Sequence, residues 1–187
     1  MSKVLLLRAL FSSRKAYRKA LARAARACYG ASMASTDHII RRAGPQDAPA
    51  VDALTQAAYA KWVPLLGRKP MPMLADYTKA VVDHRIDLVE IDGELAALIE
   101  LDQQPDHLLI VNLAAHPDYQ GRGLGRFLLA HAEAVAGEMA LPELRLYTNG
   151  LMVANIALYR RQGYVVSREE ERGPGWTVVH MSRPTPG

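Results

Sequence analysis

His116-Pro117-Asp118-Tyr119-Gln120-Gly121-Arg122-Gly123-Leu124-Gly125-Arg126 follows an apolar run, Leu108 to Ala115, and leads into a segment in which Leu124, Phe127, Leu128, His131 and Val135 fall on one helical face. The order is strand, glycine-rich turn, helix. Glycines at 121, 123 and 125 clear side chains from the point where a helix begins, so several backbone N–H groups point outward together. With the positive end of the helix dipole they suit a diphosphate. Two familiar phosphate loops are excluded by spelling. A Walker loop ends in Gly-Lys-Ser/Thr, and here Gly125 is followed by Arg126 and Phe127. A dinucleotide fingerprint starting at Gly121 or Gly123 needs a further glycine where Arg126 or Leu128 stands.

What remains is Gln120-x-x-Gly123-x-Gly125, with Leu113-Ala114-Ala115-His116-Pro117 before it and Asn155-Ile156-Ala157-Leu158-Tyr159-Arg160-Arg161-Gln162-Gly163-Tyr164 after it. Together these elements resemble the acyl-CoA pyrophosphate loop and flanking motifs of the GNAT superfamily of N-acetyltransferases. The resemblance runs from about Ile39 to Arg183. It implies an α/β (α+β) domain whose mixed, mostly antiparallel sheet is flanked by helices. Two central parallel strands, here 108 to 115 and 144 to 148, are expected to splay apart and admit acetyl-CoA.

The chain of 187 residues is half hydrophobic, enough for one domain with a sizeable core. Its net charge of +4 is uneven: residues 1 to 36 carry eight Lys/Arg and no Asp/Glu, and the rest carries 15 basic and 19 acidic residues. The division expected is a basic N-terminal extension, 1-36, and a catalytic domain, 37-187. The domain's own charge removes the main support for nucleic-acid binding. The extension is rich in Ala, Arg and Ser, which is similar to an organellar targeting peptide. It lacks the apolar core of a secretory signal, and Met33-Ala34-Ser35-Thr36-Asp37 reads as an ordinary start, so a non-native start or a plain solvated arm is favoured over targeting. No stretch reaches the roughly 18 apolar residues of a membrane span. The sole cysteine, Cys28, lies in the arm, which excludes an internal disulfide and a cysteine nucleophile in the domain. A cytoplasmic setting is expected.

In order, a strand over 38 to 43 leads through Gly44-Pro45-Gln46-Asp47, with Asp47 as helix cap, into a helix to about Tyr59. Lys61 to Met73 is too rich in proline for one helix and too apolar for a free linker, and is read as a loop beside the active cleft. A helix over about 74 to 85 precedes strands 87 to 91 and 94 to 101, joined at Asp92-Gly93, a strong hairpin signal. After strand 108 to 115 come helix 123 to 138, strand 144 to 148, helix 153 to 161, and strands 164 to 168 and 176 to 182.

Acyl transfer from a thioester to an amine needs a neutral amine, a donor for the oxyanion and a route for the thiolate to leave. The resemblance implies backbone N–H groups of Leu113 and Ala115 for the oxyanion and the hydroxyl of Tyr159 for the thiolate. It also implies Gln120, Gly121, Arg122, Gly123, Leu124, Gly125 and Arg126 for the diphosphate, and Asn155 for the pantetheine arm. Many members have an asparagine seven residues before the tyrosine, and Met152 stands there, leaving Asn155 and Asn149 as replacements. Leu108 to Ala115 carries no carboxylate, so Glu100, His116 or a water chain is left as the general base. His131 reads as a satisfied core histidine, and Glu169-Glu170-Glu171 as a solvated face, with contact to a cationic amine substrate as the alternative. No metal is expected. The expected activity is acetyl-CoA-dependent N-acetylation of a small amine, amino acid or protein N-terminus. The alternative is a non-catalytic acyl-CoA-binding or regulatory domain. Homodimers are common among related proteins, and the sequence leaves the oligomeric state open.

Overall fold

The computed structural model describes residues 38–173 and 176–186. The basic extension 1–36, with Cys28, and Pro174-Gly175 of the last expected turn lie outside the described residues. The elements are β1 (Ile39–Arg42), α1 (Ala48–Tyr59), α2 (Tyr77–Asp83), β2 (Arg85–Ile91), β3 (Glu94–Gln103), β4 (Leu108–Ala115), α3 (Leu124–Glu138), β5 (Glu143–Asn149), α4 (Val153–Arg161), β6 (Val165–Gly173) and β7 (Trp176–Pro184). Among the described residues they build a seven-stranded sheet in the order β1-β2-β3-β4-β5-β7-β6, in which only the β4–β5 pair is parallel. This is the mixed, mostly antiparallel sheet flanked by helices that the motifs implied.

Local chemistry explains the joints. Asp92 and Gly93 sit at φ 53 and 84, the two left-handed positions of a type I′ turn, whose twist matches the strands it joins. Asp76 caps α2 with its side chain, accepting from the N–H of Thr78 at 3.0 Å and of Lys79 at 3.4 Å. That cap, and a separate 3₁₀ turn at Met71–Leu74, start α2 at Tyr77 rather than at 74. Asp47 does not cap α1 through its side chain. Its carboxylate is held bidentately by Arg41 at 2.8 Å and closes the preceding turn on the Gly44 N–H, also at 2.8 Å.

Cross-strand neighbours share a face, so register divides the core in two. On one face α3 and α4 cover Val89, Ile99, Leu101, Ile110, Leu144 and Leu146. On the other, Val51, Leu54 and Ala58 of α1 and Ala80 and Val81 of α2 meet Ile86, Leu88, Leu98 and Ala114 of β2, β3 and β4. Burying Val51 and Leu54 contributes about 1.5–3 kcal/mol each. This second cluster contains no residue of β5, β6 or β7, and Tyr147 on β5 is 42 % exposed. The uncovered half of that face becomes the floor of a cavity.

The last two strands run longer than the pattern suggested. β6 continues to Gly173, with Glu169, Glu170 and Glu171 paired to Val179, Val178 and Thr177 of β7. The acidic run is therefore a strand with alternating sides, and Glu170 turns inward while Glu169 and Glu171 face solvent.

Candidate active site

β4 and β5 pair at three positions only, Leu108↔Leu144, Leu109↔Arg145 and Ile110↔Leu146, and then part. The parting coincides with a bulge: opposite β3, Leu101 faces Ile110 and Glu100 faces Asn112, so Val111 is the extra residue. A bulge bends its strand and raises the local twist. It also changes the parity of β4, turning Leu113 and Ala115 toward the α3 core and Asn112 and Ala114 toward α1 and α2. The gap opens into a cavity of about 440 Å³ reached by Val111, Asn112 and Leu113 from β4 and by Tyr147, Thr148 and Asn149 from β5.

Backbone groups alternate along a strand, and the N–H of His116 bonds the Ala96 carbonyl of β3. Ala115 and Leu113 therefore direct their peptide groups away from β3, into the gap. Side chains meet their carbonyls: Gln120 Nε2 donates to Ala115 O at 2.9 Å, and the Tyr59 hydroxyl approaches Leu113 O at 3.5 Å. The two N–H groups face the same gap. A backbone N–H open to such a gap is the kind of donor an oxyanion uses.

The glycine loop lies where β4 gives way to α3. Gly121 and Gly123 sit at φ 77 and 84, and Gly123 is the residue immediately before the helix. Both conformations disfavour a side chain, and the space around both is open. Gly125 is constrained differently: a Cβ there would lie 3.0 Å from Leu158 Cδ2, so its absence lets α3 approach α4. Leu124 is buried as the first anchor of α3. Arg122 lies over the Tyr119 ring at 4.9 Å, and Gln120 bridges the loop to Lys61, its Oε1 accepting from Nζ at 2.6 Å.

Tyr159 and Asn155 of α4 line the cavity, as does Met152 just before that helix. Tyr159 is 7 % exposed, packs edge-on against Tyr164, and makes no hydrogen bond through its hydroxyl to any described residue. Burial pushes the phenol up to about 12, so it is protonated throughout the neutral range. Asn155 Nδ2 contacts Met152 Sδ at 3.7 Å. Asn149, the other replacement considered, accepts from the Leu151 N–H at 2.9 Å as an Asx turn while it lines the cavity.

Glu100, a candidate general base, lies inside β3. It is 2 % exposed, does not line the cavity, and bonds His84 Nδ1 at 2.6 Å. Burial raises its carboxyl, and the hydrogen bond from His84 only partly offsets this. His116 also stands off the cavity, where its Nδ1 accepts from the Asp118 N–H at 3.4 Å and its ring meets Tyr119. His131 bonds the buried Asp87 at 2.7 Å, the satisfied core histidine its position suggested. Among the described residues no group of three or more His, Cys, Asp or Glu is arranged to hold a metal ion, and no helix is long and apolar enough to cross a membrane.

Asn112, Arg172 and His180 escaped the sequence reading, while Tyr59, Arg68 and Glu170 belong to segments it singled out. Asn112 is a buried hub: its Oδ1 accepts from Tyr59 OH at 2.9 Å, and its Nδ2 donates to Tyr77 OH at 3.0 Å and Thr55 Oγ1 at 3.3 Å. Tyr77 OH in turn donates to Pro72 O at 2.9 Å, tying the proline-rich loop to β4. Across the cavity stand His180, Glu170, Arg172 and Trp176, with Arg68 of the loop stacked on Trp176 at 3.8 Å. The one available signal was the β-period through the acidic run, which puts Glu170 opposite in side to its two neighbours.

Residues 51–164 match the acetyltransferase (GNAT) family. A 73-residue stretch is 34 % identical to the [Ribosomal protein bS18]-alanine N-acetyltransferase of Escherichia coli (strain K12), covering 39 % of this chain and 49 % of that one. The chain thus spans about half the length of the curated relatives it matches. The fold is similar to the crystal structure of the ribosomal-protein-S18-alanine N-acetyltransferase from Escherichia coli (TM-score 0.65, 23 % identity, 79 % of this chain and 94 % of that one). It is also similar to the PaiA N-acetyltransferase of Thermoplasma acidophilum, solved in complex with coenzyme A (TM-score 0.66, 18 % identity, 79 % of this chain and 98 % of that one).

Proposed function

The chain belongs to the acetyltransferase (GNAT) family, and from that premise we propose that it is an acetyl-CoA-dependent N-acetyltransferase acting on a primary amine of a small molecule, an amino acid or a protein N-terminus. The observation that carries the reading is the parted β4–β5 pair, which opens a 440 Å³ cavity between Val111, Asn112 and Leu113 of β4 and Tyr147, Thr148 and Asn149 of β5. The diphosphate of acetyl-CoA would meet the N–H groups of Gly121, Gly123, Leu124 and Gly125 at the start of α3, with Arg122 and Arg126 as nearby cations. Gln120 orders the loop by bonding Ala115, and Asn155 stands beside the pantetheine path.

The neutral amine attacks the thioester carbonyl, and the oxyanion takes a backbone N–H of β4, that of Leu113 or of Ala115. As the C–S bond breaks, the thiolate takes a proton from Tyr159 OH, the former amine nitrogen gives up its extra proton, which returns through water to the tyrosinate, and CoA thiol and the neutral amide leave. The ammonium form of the acceptor must first lose a proton. Glu100 and His116 are the ionisable candidates, and since neither lines the cavity, each would act through water. The PaiA neighbour solved with coenzyme A supports the choice of cosubstrate. A protein N-terminus is kept among the acceptors because the curated relative is named for a ribosomal-protein alanine.

The test is release of free CoA thiol from acetyl-CoA across a panel of amines, by wild type and Tyr159→Phe. Turnover on at least one amine, reduced about tenfold or more in the variant at unchanged acetyl-CoA affinity, is the expected result. Tight acetyl-CoA binding with no turnover, indifferent to Tyr159→Phe, would instead favour a non-catalytic binding domain.

A further inference from the structure

The acceptor side of the cavity has an uneven charge. Four ionisable side chains of opposite sign line it there, Arg68, Arg172, His180 and Glu170, and the only carboxylate among them is heavily shared. Glu170 takes Arg172 at 2.9 Å, Arg168 at 3.2 Å and His180 Nε2 at 3.4 Å. Arg68 has no carboxylate within salt-bridge reach among the described residues, and its guanidinium carbon lies over the Trp176 ring, 3.8 Å from its centroid. Stacking fixes the plane of an arginine while leaving its edge N–H groups free to fork onto an anion. The rest of this wall is apolar, with Leu66, Met71, Pro72, Tyr147 and Val178.

A guanidinium already oriented, in a wall of positive balance, fits an anion. A cavity of this chemistry disfavours acceptors carrying several positive charges. Resting on the acetyltransferase reading above, we propose that the acceptor is an amine with a carboxylate a few bonds away on an apolar frame, and that Arg68 binds this carboxylate. Arg68 is thereby a specificity residue, and the acceptors excluded are polyamines and other polycations. A free apolar amino acid and a peptide with an acidic residue near its amino end both supply this chemistry.

The experiment compares kcat/KM for leucine, methionine and phenylalanine, their amides, a peptide with glutamate at its second position, and spermidine. It uses wild type, Arg68→Gln and Arg68→Lys, with acetyl-CoA affinity measured calorimetrically for each. The proposal expects the acids to exceed their amides by about tenfold or more, Arg68→Gln to erase that ratio while sparing the amides, and Arg68→Lys to restore part of it. Preference for the peptide over free amino acids, with the same dependence on Arg68, assigns the carboxylate to a side chain. A merely structural stack would lower acids and amides alike, leaving the ratio unchanged, and would overturn the proposal. Equal use of acids and amides, preference for spermidine, or acetyl-CoA binding without acylation of any acid would overturn it too. Failure of wild type to bind acetyl-CoA at all would sink the acetyltransferase reading first, and this inference with it.

Discussion

At Gly123 the backbone holds φ +84 in open space, whereas at Gly125 a Cβ would come within 3.0 Å of Leu158 Cδ2. Gly123→Ala therefore strains only the backbone, and should lower stability by about 1 kcal/mol and weaken acetyl-CoA binding by distorting the turn. Thermal melts and calorimetry check the two effects separately. Gly125→Val should instead push α3 from α4, lowering the melting temperature more than Gly123→Ala does. Glycine spacing was legible in the sequence because only glycine serves such positions. Glu100 was not: a glutamate in an otherwise apolar strand does not announce whether its face is covered, and β3 is covered on both. Its raised carboxyl means that the folded state holds the proton more tightly than the unfolded chain. Its contribution is favourable below the unfolded value and is lost as pH rises through the folded one. Glu100→Gln should therefore cost less than about 1 kcal/mol at pH 7, and urea titrations from pH 4 to 7 should show the variant gaining on wild type as pH rises.

At the element scale, α3 is fastened to the sheet by more than its apolar face. Asp87 of β2 is 2 % exposed and accepts from Arg85 Nε and His131 Nε2, both at 2.7 Å. Burial pushes its carboxyl up, but the bonds from His131 and Arg85 outweigh this and hold it below the ordinary carboxylate value. The sign is opposite to that of Glu100: the stabilisation is present above the unfolded value near 3.9 and is lost as pH falls through the folded one. Asp87→Asn should destabilise by about 2 kcal/mol at pH 7, since both partners are partly exposed, and should flatten the loss of stability that wild type undergoes in acid. Denaturant melts between pH 2 and 7 read both effects. Helices α3 and α4 and strand β4 were legible almost to the residue, because each combines a clean period with a glycine, proline or turn at its end. The start of α2 and the reach of β6 were not. In α2 a side-chain cap overrode the apolar pattern, and in β6 the pairing with β7 held three consecutive glutamates in a strand.

Across the whole molecule, two cores grip one sheet unequally: α3 and α4 cover one face, while α1 and α2 cover only β1-side strands of the other. The bare floor beside the β4–β5 gap follows from that imbalance. The existence of the gap came from family resemblance, since no residue of β4 or β5 spells it. Its cause, a bulge at Val111, requires the register. The acceptor wall was legible in part: the loop Lys61 to Met73 was expected beside the cleft, but Arg68 and Trp176 are distant in sequence and only the fold brings them together. The account as a whole stands on acetyl-CoA occupying the parted strands with its diphosphate on the glycine turn. Residue-resolved amide hydrogen exchange with and without acetyl-CoA reads both halves of that claim in one measurement. The account predicts new protection at Leu113 and Ala115 and across Gly121 to Arg126, and protection confined to other segments, or none at saturating acetyl-CoA, would contradict it.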